Sequence, residues 1–400
     1  MNNVKFKFSD FNKLWFSFLK SSIGDWLYKL ALPLIVLAKT GSAYHAATIY
    51  GISFIPWIFF SLIGGSIADT FNKKRILFLG NVVSGILTVL LALFVKQTNL
   101  IMWQLYLIVF FLSSIDPLIH PTFQSILPQL TESTELITAN AKIQTVDNTL
   151  SIVGPLLGGT VIVLFSGVNA LWVDAITFFM AAFFITKISI KTPSRGTLSL
   201  KKLIKSIKEG ASYSFGQKVI FSGSVMFFFS NFALNMFEAN FMYYMTRQLK
   251  LSVFDASMAM TLAGIGSLTA GFVTPKISRY FSSGRILSVS TMLAGLFTIF
   301  LFITNSAWSV GLVLGLISFF GTINVITYFT LRQRTVPSNI LGRIVSVTRM
   351  VSYASIPIGS WLSGYLISIG TTMKVIVILA GIIRLLAGAG AWLSPLGKEK

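Results

Sequence analysis

The chain has 400 residues, 54% of them hydrophobic and only 11% charged, with a mean hydropathy of +0.78. A soluble domain of this size could not hide that much apolar surface, and a buried-core enzyme would show charged helix faces that most segments here lack. The class is therefore a polytopic membrane protein. Cysteine is absent, which excludes disulfides and thiolate metal sites, and the two histidines, His45 and His120, lie too far apart in sequence to suggest a His-based metal site.

A bilayer span takes about 20 apolar residues. In chain order the apolar runs predict spans over Leu14–Ala38, Ala46–Ala68, Arg75–Val95, Leu100–Ile126, Ala139–Phe165 and Val168–Thr186. A break follows, then Val219–Met245, Phe254–Pro275, Arg285–Thr304, Ala307–Leu331, Ile344–Ile369 and Lys374–Leu393. The fold expected is an all-α polytopic membrane protein with twelve transmembrane helices in two pseudo-symmetric six-helix bundles. Residues 1–186 form the first bundle, 187–218 a linker and 219–400 the second.

Basic residues set the orientation. Lys5, Lys7 and Lys13 precede the first span. Lys73, Lys74 and Arg75, the central lysines, Lys276 and Arg279, and Arg332, Arg334 and Arg343 fall in loops on one side. The other side holds only scattered charges such as Lys39, Lys96, Arg247 and Lys250. By the positive-inside rule both termini are cytoplasmic. The net charge of +20 is then a topological bias supplemented by contact with anionic lipid heads, and needs no nucleic-acid partner. The polar, basic tail lacks a small-residue cleavage site, so the first span reads as a retained helix. In the linker, LSLKKLIKSIKEGASYSF puts Leu200, Leu203, Ile204 and Ile207 on one face and lysines on the other. This predicts an interfacial amphipathic helix, either lying on the membrane between the bundles or serving as a lipid-sensing or regulatory dock.

The halves repeat. TANAKIQTVDNTLSIVGPLLGG opens the fifth span and LGRIVSVTRMVSYASIPIGSWLSG the eleventh, with Pro155 and Pro357 in register and Gly167 and Gly370 within one residue of it. Such halves bind substrate between them near the midplane and rock against each other.

Ionisable residues inside a membrane are costly and usually functional. Asp25 and Lys29 share a face of the first span, either at the cavity or as a local ion pair. Asp116 and His120 are similarly spaced in the fourth, each followed by proline, and Asp116 could instead cap a broken helix. Asn140, Gln144, Asp147, Ser151, Gly154 and Gly158 make one stripe on the fifth span. Asn231, Asn235 and Glu238 make another on the seventh, beside Phe227, Phe228, Phe237 and Phe241, which fit a lipid-facing role better than a ligand-binding one. Arg349 and Arg384 are the cations available to answer these acids, although Arg349 could also snorkel to the cytoplasmic face. Asp174, near the outer end of the sixth span, reads as a packing or capping residue.

The hairpin GSIADTFNKKR, Gly65 to Arg75, resembles the loop between helices 2 and 3 of the major facilitator superfamily. GDWLYKLALPLIVLAKTGSA, LITANAKIQTV, GPLLGG and LRQRTVPSNILGR are similar to its drug-efflux branch, which includes macrolide exporters and enterobactin-type siderophore exporters. The resemblance implies that Asp69 faces the N-terminus of the eleventh span, where unpaired N–H groups and the helix dipole attract an anion, and so latches the outward-open state. Gly65 would allow close approach of a neighbouring helix, and Lys73, Lys74 and Arg75 would add pairing or only mark topology. Gly154, Pro155, Gly158 and Gly159 correspond to a motif tied to antiport, while small-residue packing alone could also explain them. Three departures stand out. Thr70 and Asn72 replace the family's Arg and Gly, the second-half loop GFVTPKISRYFSSGR has lost its acid, and Ser113 stands where the family often has an Arg linked to proton coupling.

The expectation is a monomeric exporter in a bacterial cytoplasmic membrane, moving a small amphipathic or apolar molecule in exchange for protons carried by Glu238 or Asp25. Its partners would be that molecule and membrane lipids. No cofactor is expected, and without a nucleotide-binding motif ATP is not the direct driver. A siderophore or lysophospholipid transporter, an importer and a non-transporting sensor are the alternatives. A membrane enzyme would need an acid/base or metal constellation that the sequence does not show.

Overall fold

The computed structural model describes residues 8–131, 135–189, 200–337 and 340–399. The side chains of Phe8, Ser9, Leu62, Asp69, Ile137, Leu200, Lys201, Lys202, Leu203 and Ser206 lie outside the described set. Among the described residues every regular element is helical. The first six spans are α1 (Phe8–Thr40), α2 (Ala43–Thr70), α3 (Lys73–Phe94), α4 (Met102–Leu130), α5 (Leu136–Phe165) and α6 (Gly167–Thr186). The amphipathic α7 (Leu200–Gly216) follows, then α8 (Lys218–Glu238) and the single turn α9 (Phe241–Tyr243). The last four long helices before the C-terminal span are α10 (Val253–Ile277), α11 (Ser283–Phe300), α12 (Ala307–Thr335) and α13 (Leu341–Ser368), and α14 (Met373–Leu393) ends the series. Among the described residues eleven spans are long and apolar enough to cross a bilayer. The remaining long helix, α13, has 28 residues and is made less apolar by its serines, glycines and two arginines.

Packing divides the chain into two units, Met1–Ile35 with Phe59–Leu203, and Val36–Ile58 with Ile204–Lys400. In the first unit α3 packs on α4 and α6, over a core that includes Leu14, Leu77, Ile126, Leu130 and Ile185. Asp10 joins the start of α1 to the end of α6, pairing with Lys13 at 2.8 Å and accepting from the Ser189 N–H at 3.0 Å. Lys73 and Lys74 are more than topology markers. They donate to the main-chain carbonyls of Ser125 at 3.0 Å and Thr186 at 2.9 Å, and the second is at a helix C-terminus, where a cation is favoured. Asn72 caps α3 by accepting from the Arg75 N–H at 3.0 Å, a physical use for the residue that departs from the family's glycine.

In the second unit α10 lies against α12, α11 against α14, and α8 against α13 and α14. Small residues permit these approaches, with Gly266 facing the Gly315 backbone and Gly295 the Gly381 backbone. The first turns of α2 join this unit. Ala47 lies against Gly364, Gly51 against Pro357, Ser360 and Trp361, and Phe54 and Trp57 meet the edge of Tyr353, so α2 runs antiparallel along α13.

Two expectations need correction, and two further features are added. A side chain on Gly65 would meet none of the described residues within van der Waals range. The glycine at the close approach is Gly64, against Pro117 and Pro121 of α4. The seventh span is not one helix to Met245. α8 stops at Glu238, and a π-turn over Tyr244–Gln248 follows α9. The linker helix α7 is docked on protein, with Gly210 against the Arg343 carbonyl and Val347, Tyr213 beside Ile220, Val336 and Ile344, and Glu209 paired with Arg343. The left-handed residue that ends α5 is Ser166, φ 77°, one place before Gly167, while Gly370 takes φ 97° after α13. The Asp69 latch cannot be followed, because that side chain lies outside the described residues.

Candidate functional site

Two polar constellations interrupt the apolar helices, one in each unit. In the second unit the stripe on α8 is built by hydrogen bonds. The Asn235 amide donates to the Asn231 carbonyl at 2.7 Å, and the Asn231 amide donates to the Ser352 carbonyl of α13 at 3.4 Å. Glu238 is the last residue of α8, and its carboxylate keeps exposed surface although Phe237, Ala239 and Asn240 beside it are buried. The helix break after it is stabilised by Asn240, whose amide donates to Ser363 Oγ of α13 at 2.8 Å. Broken helices at membrane depth are tolerated where they are buried in protein or line a cavity.

The residue that sequence reasoning missed is Tyr50 of α2. Its hydroxyl lies 3.1 Å from Glu238 Oε2 and 3.0 Å from Asn235 Oδ1, so its single proton serves two acceptors. Arg384 of α14 is 2% exposed, within electrostatic reach of Glu238, and donates through Nη1 to Thr298 Oγ1 at 3.2 Å, while among the described residues its Nε has no hydrogen-bond partner. It is the cation that answers Glu238. Arg349 does not share that role; its resolved electrostatic neighbour is another cation, Arg332. The phenylalanines also divide differently from expectation. Phe237 and Phe241 are buried, Phe227 stacks on Tyr328 at 4.8 Å, and the exposed ones on α8 are Phe221 and Phe229.

In the first unit the structure gathers Asp25 and Lys29 from α1, Asp116 and His120 from α4, and Asp147 from α5. Lys29 acts electrostatically on all three aspartates and His120 on the latter two. Asp25 is half-buried, whereas Lys29, Asp116 and Asp147 are exposed. The local Asp25–Lys29 ion pair is not formed. Among the described residues the ion pairs are Lys13–Asp10, Lys205–Glu209 and Arg343–Glu209, and the Lys29 ammonium instead lies 5.2 Å from the centre of the Trp26 ring. Ser113 stands beside the Tyr28 hydroxyl in this cluster. Asp174 caps nothing, since among the described residues neither of its carboxylate oxygens has a hydrogen-bond partner. Among the described residues no group of three or more His, Asp or Glu side chains is arranged to hold a metal ion.

The GPLLGG run places this cluster. The stripe on α5 splits, with Asn140, Gln144 and Asp147 exposed and Gly154, Pro155, Gly158 and Gly159 buried. Gly154 faces the Trp26 ring, and Gly158 faces Leu30 Cδ1 and the Trp26 carbonyl, so the glycines seat the turn of α1 that carries Asp25 and Lys29. Gly158→Leu is expected to force α1 from α5 at a cost of about 1–3 kcal/mol. Transport in proteoliposomes should fall by more than the protein level in membranes does, and full activity would contradict this packing.

The family model for the Major Facilitator Superfamily matches residues 14–360. The chain belongs to that superfamily. It is 26% identical over 92% of its length to the uncharacterized MFS-type transporter YfiS of Bacillus subtilis, of which 90% is covered. The multidrug efflux pump Tap of Mycobacterium tuberculosis is 24% identical over 87% of this chain and 85% of its own length. The staphyloferrin A transporter of Staphylococcus aureus is 23% identical, covering 85% of each. Among solved structures a point mutant of the nucleoside transporter NupG superposes with a TM-score of 0.77 at 15% identity, over 95% of this chain and 98% of that one, a likeness of fold. The chain is thus a multi-pass membrane transporter, a member of a family of transporters and not of enzymes.

Proposed function

We propose that the protein exports a small amphipathic or apolar molecule across a bacterial cytoplasmic membrane in exchange for protons. The observation that carries this reading is the Tyr50 bridge. The helix that runs along α13 donates a hydrogen bond to Glu238 of α8. An ionised carboxylate accepts such a bond about twice as strongly as a neutral group. Ionised Glu238 therefore holds α2 against α8 and α13, and protonation loosens that seam. With cytoplasmic termini the seam lies at the outer face. A proton arriving from outside favours parting of the seam and release of cargo, and loss of the proton to the cytoplasm restores closure. The likeness to the multidrug efflux pump supports export over uptake. The charge that drives the cycle is the proton gradient, with no cofactor.

Accumulation of a panel of chemically diverse amphipathic compounds, in cells with and without the protein, tests the direction and the substrate class. At least one compound should be held at lower level, and a protonophore should abolish the difference. Higher accumulation in expressing cells would identify an importer. A siderophore cargo is the second reading, favoured by the similarity to the staphyloferrin A transporter, and the same panel should include siderophores.

Orientation has its own expected result. Ser306 is exposed at the start of α12, and Ser199 lies outside the described residues just before α7. Single cysteines in this cysteine-free chain should react with an impermeant thiol reagent from outside at position 306 and not at 199. The reverse pattern would invert the topology.

A further inference from the structure

We propose that Asp174 holds an exchangeable proton in the tight seam between α1 and α6, and that Asp25 is its route to and from the polar cluster of the first unit. Asp174 is 1% exposed, and among the described residues both of its carboxylate oxygens lack a hydrogen-bond partner. The Tyr28 hydroxyl on α1 is buried beside Ser113 and electrostatically tied to both Asp174 and Asp25, and it makes no hydrogen bond to either acid. The two helices approach closely here. Gly24 of α1 faces Asp174 Oδ1 and Thr177 Oγ1, where any side chain would fill the space before the carboxylate. Thr177 offers that carboxylate nothing, because its hydroxyl donates to the Asp174 main-chain carbonyl at 2.7 Å.

Among the described residues no cation neutralises the group. The ionisable residue resolved as acting on Asp174 is another acid, Asp25. On the elements beside α6, the other charged groups are Asp10, Lys13, Lys20, Lys29 and Lys39 on α1, Lys73, Lys74 and Arg75 at the start of α3, and Lys142 and Asp147 on α5, and none of these cations is resolved as acting on Asp174. Lys29 and Asp147 belong to the polar cluster, and Lys74 is spent on the end of α6. Lys96 covers the Trp172 ring at 5.5 Å. A carboxylate without donor or counter-ion in so apolar a place neutralises itself by binding a proton. A neighbouring acid opposes ionisation, so Asp25 reinforces the neutral form of Asp174.

The exit is graded by exposure. Asp174 is fully buried, Asp25 half-buried, and Asp116 and Asp147 are exposed beside His120. Asp174 and Asp25 are not hydrogen-bonded in this state, so transfer needs a state that brings the carboxyls within reach; there the Asp174 O–H passes its proton to the Asp25 carboxylate, whose own O–H then passes it to Asp116. One proton moves and no bond between heavy atoms changes. Acid chains of this kind serve as relays in pumps and transporters. The use of this proton in transport rests on the antiport reading above, whereas the occupancy of the site does not.

Infrared difference spectroscopy of the full-length protein in lipid, without substrate, tests the site. The wild type should show a protonated-carboxyl band at neutral pH that is missing from Asp174→Asn. The band should shift in Asp174→Glu, disappear reversibly as pH is raised, and move when Asp25→Asn removes the partner acid. Asp174→Glu keeps the assignment testable if the asparagine variant does not fold. Absence of the band from wild type would overturn the proposal. So would a band indifferent to pH and to Asp25→Asn, which would mark a static neutral acid. Loss of the band when sodium chloride replaces choline chloride at fixed pH would show a metal-cation site and overturn the proton assignment. Because no substrate is present, failure here leaves Glu238 untouched, and a failure of Glu238 to couple leaves this band in place.

Discussion

Glu238→Gln is expected to lose uphill export driven by a pH gradient while keeping downhill exchange near the wild-type rate. The amide has the shape of the protonated acid and can still accept from Tyr50, so the seam between α2 and α8 can form. What it cannot do is ionise. The bond then stays neutral and is weaker by about 1 kcal/mol, roughly a fivefold shift in the seam equilibrium. Counterflow needs only that the two states interconvert with cargo bound, whereas uphill movement needs a proton to leave on one side. Asp25 lies in the other unit and makes no bond to Tyr50 or Glu238, so Asp25→Asn should leave the seam equilibrium itself unchanged. Gradient-driven efflux and counterflow from the same proteoliposomes separate the two effects. Equal loss of both would mean that Glu238 binds cargo or maintains the fold.

A cysteine pair replacing Ala47 and Gly364 should arrest transport when oxidised and restore it when reduced. A Cβ at Gly364 would stand 2.8 Å from Ala47 Cβ, and a disulfide needs about 3.8 Å, so a small relaxation of the backbones accommodates the bond. The link fixes α2 to α13 and removes every state in which the outer turns part. Oxidised protein should lose at least about tenfold in transport, and a reductant should recover it, which is inconsistent with simple misfolding. Each single cysteine should transport normally under both conditions. Undiminished transport by cross-linked protein would show that α2 and α13 need not separate.

The spans are legible in the sequence because each must bury about 20 residues in lipid, and apolar runs of that length have no other common use. The boundary after Glu238 is not, since Ala239 and Asn240 carry no glycine or proline to announce a break. Glu238, Asn235 and Asn231 group together because helical spacing puts them on one face of an apolar span. Tyr50 leaves no such trace. Its partner is 188 positions away, and a tyrosine in an apolar helix has no periodic neighbour to mark it. Gly64 and Gly65 are indistinguishable in sequence because only the rotation of α2 decides which one meets α4. Asp174 falls on α6 as its sequence position implies, but reads there as a cap, because an acid near the end of a helix usually finds a donor.

Substrate-dependent proton movement is the most direct measure of coupling. Protein is reconstituted with a pH-sensitive dye trapped inside the vesicles, and a compound that the cell panel shows to be exported is added outside. Antiport through Glu238 predicts a proton flux opposite to the compound in wild type, none in empty vesicles, and none in Glu238→Gln under the same compound gradient. Compound movement without proton flux in wild type, or an undiminished flux in Glu238→Gln, would contradict it.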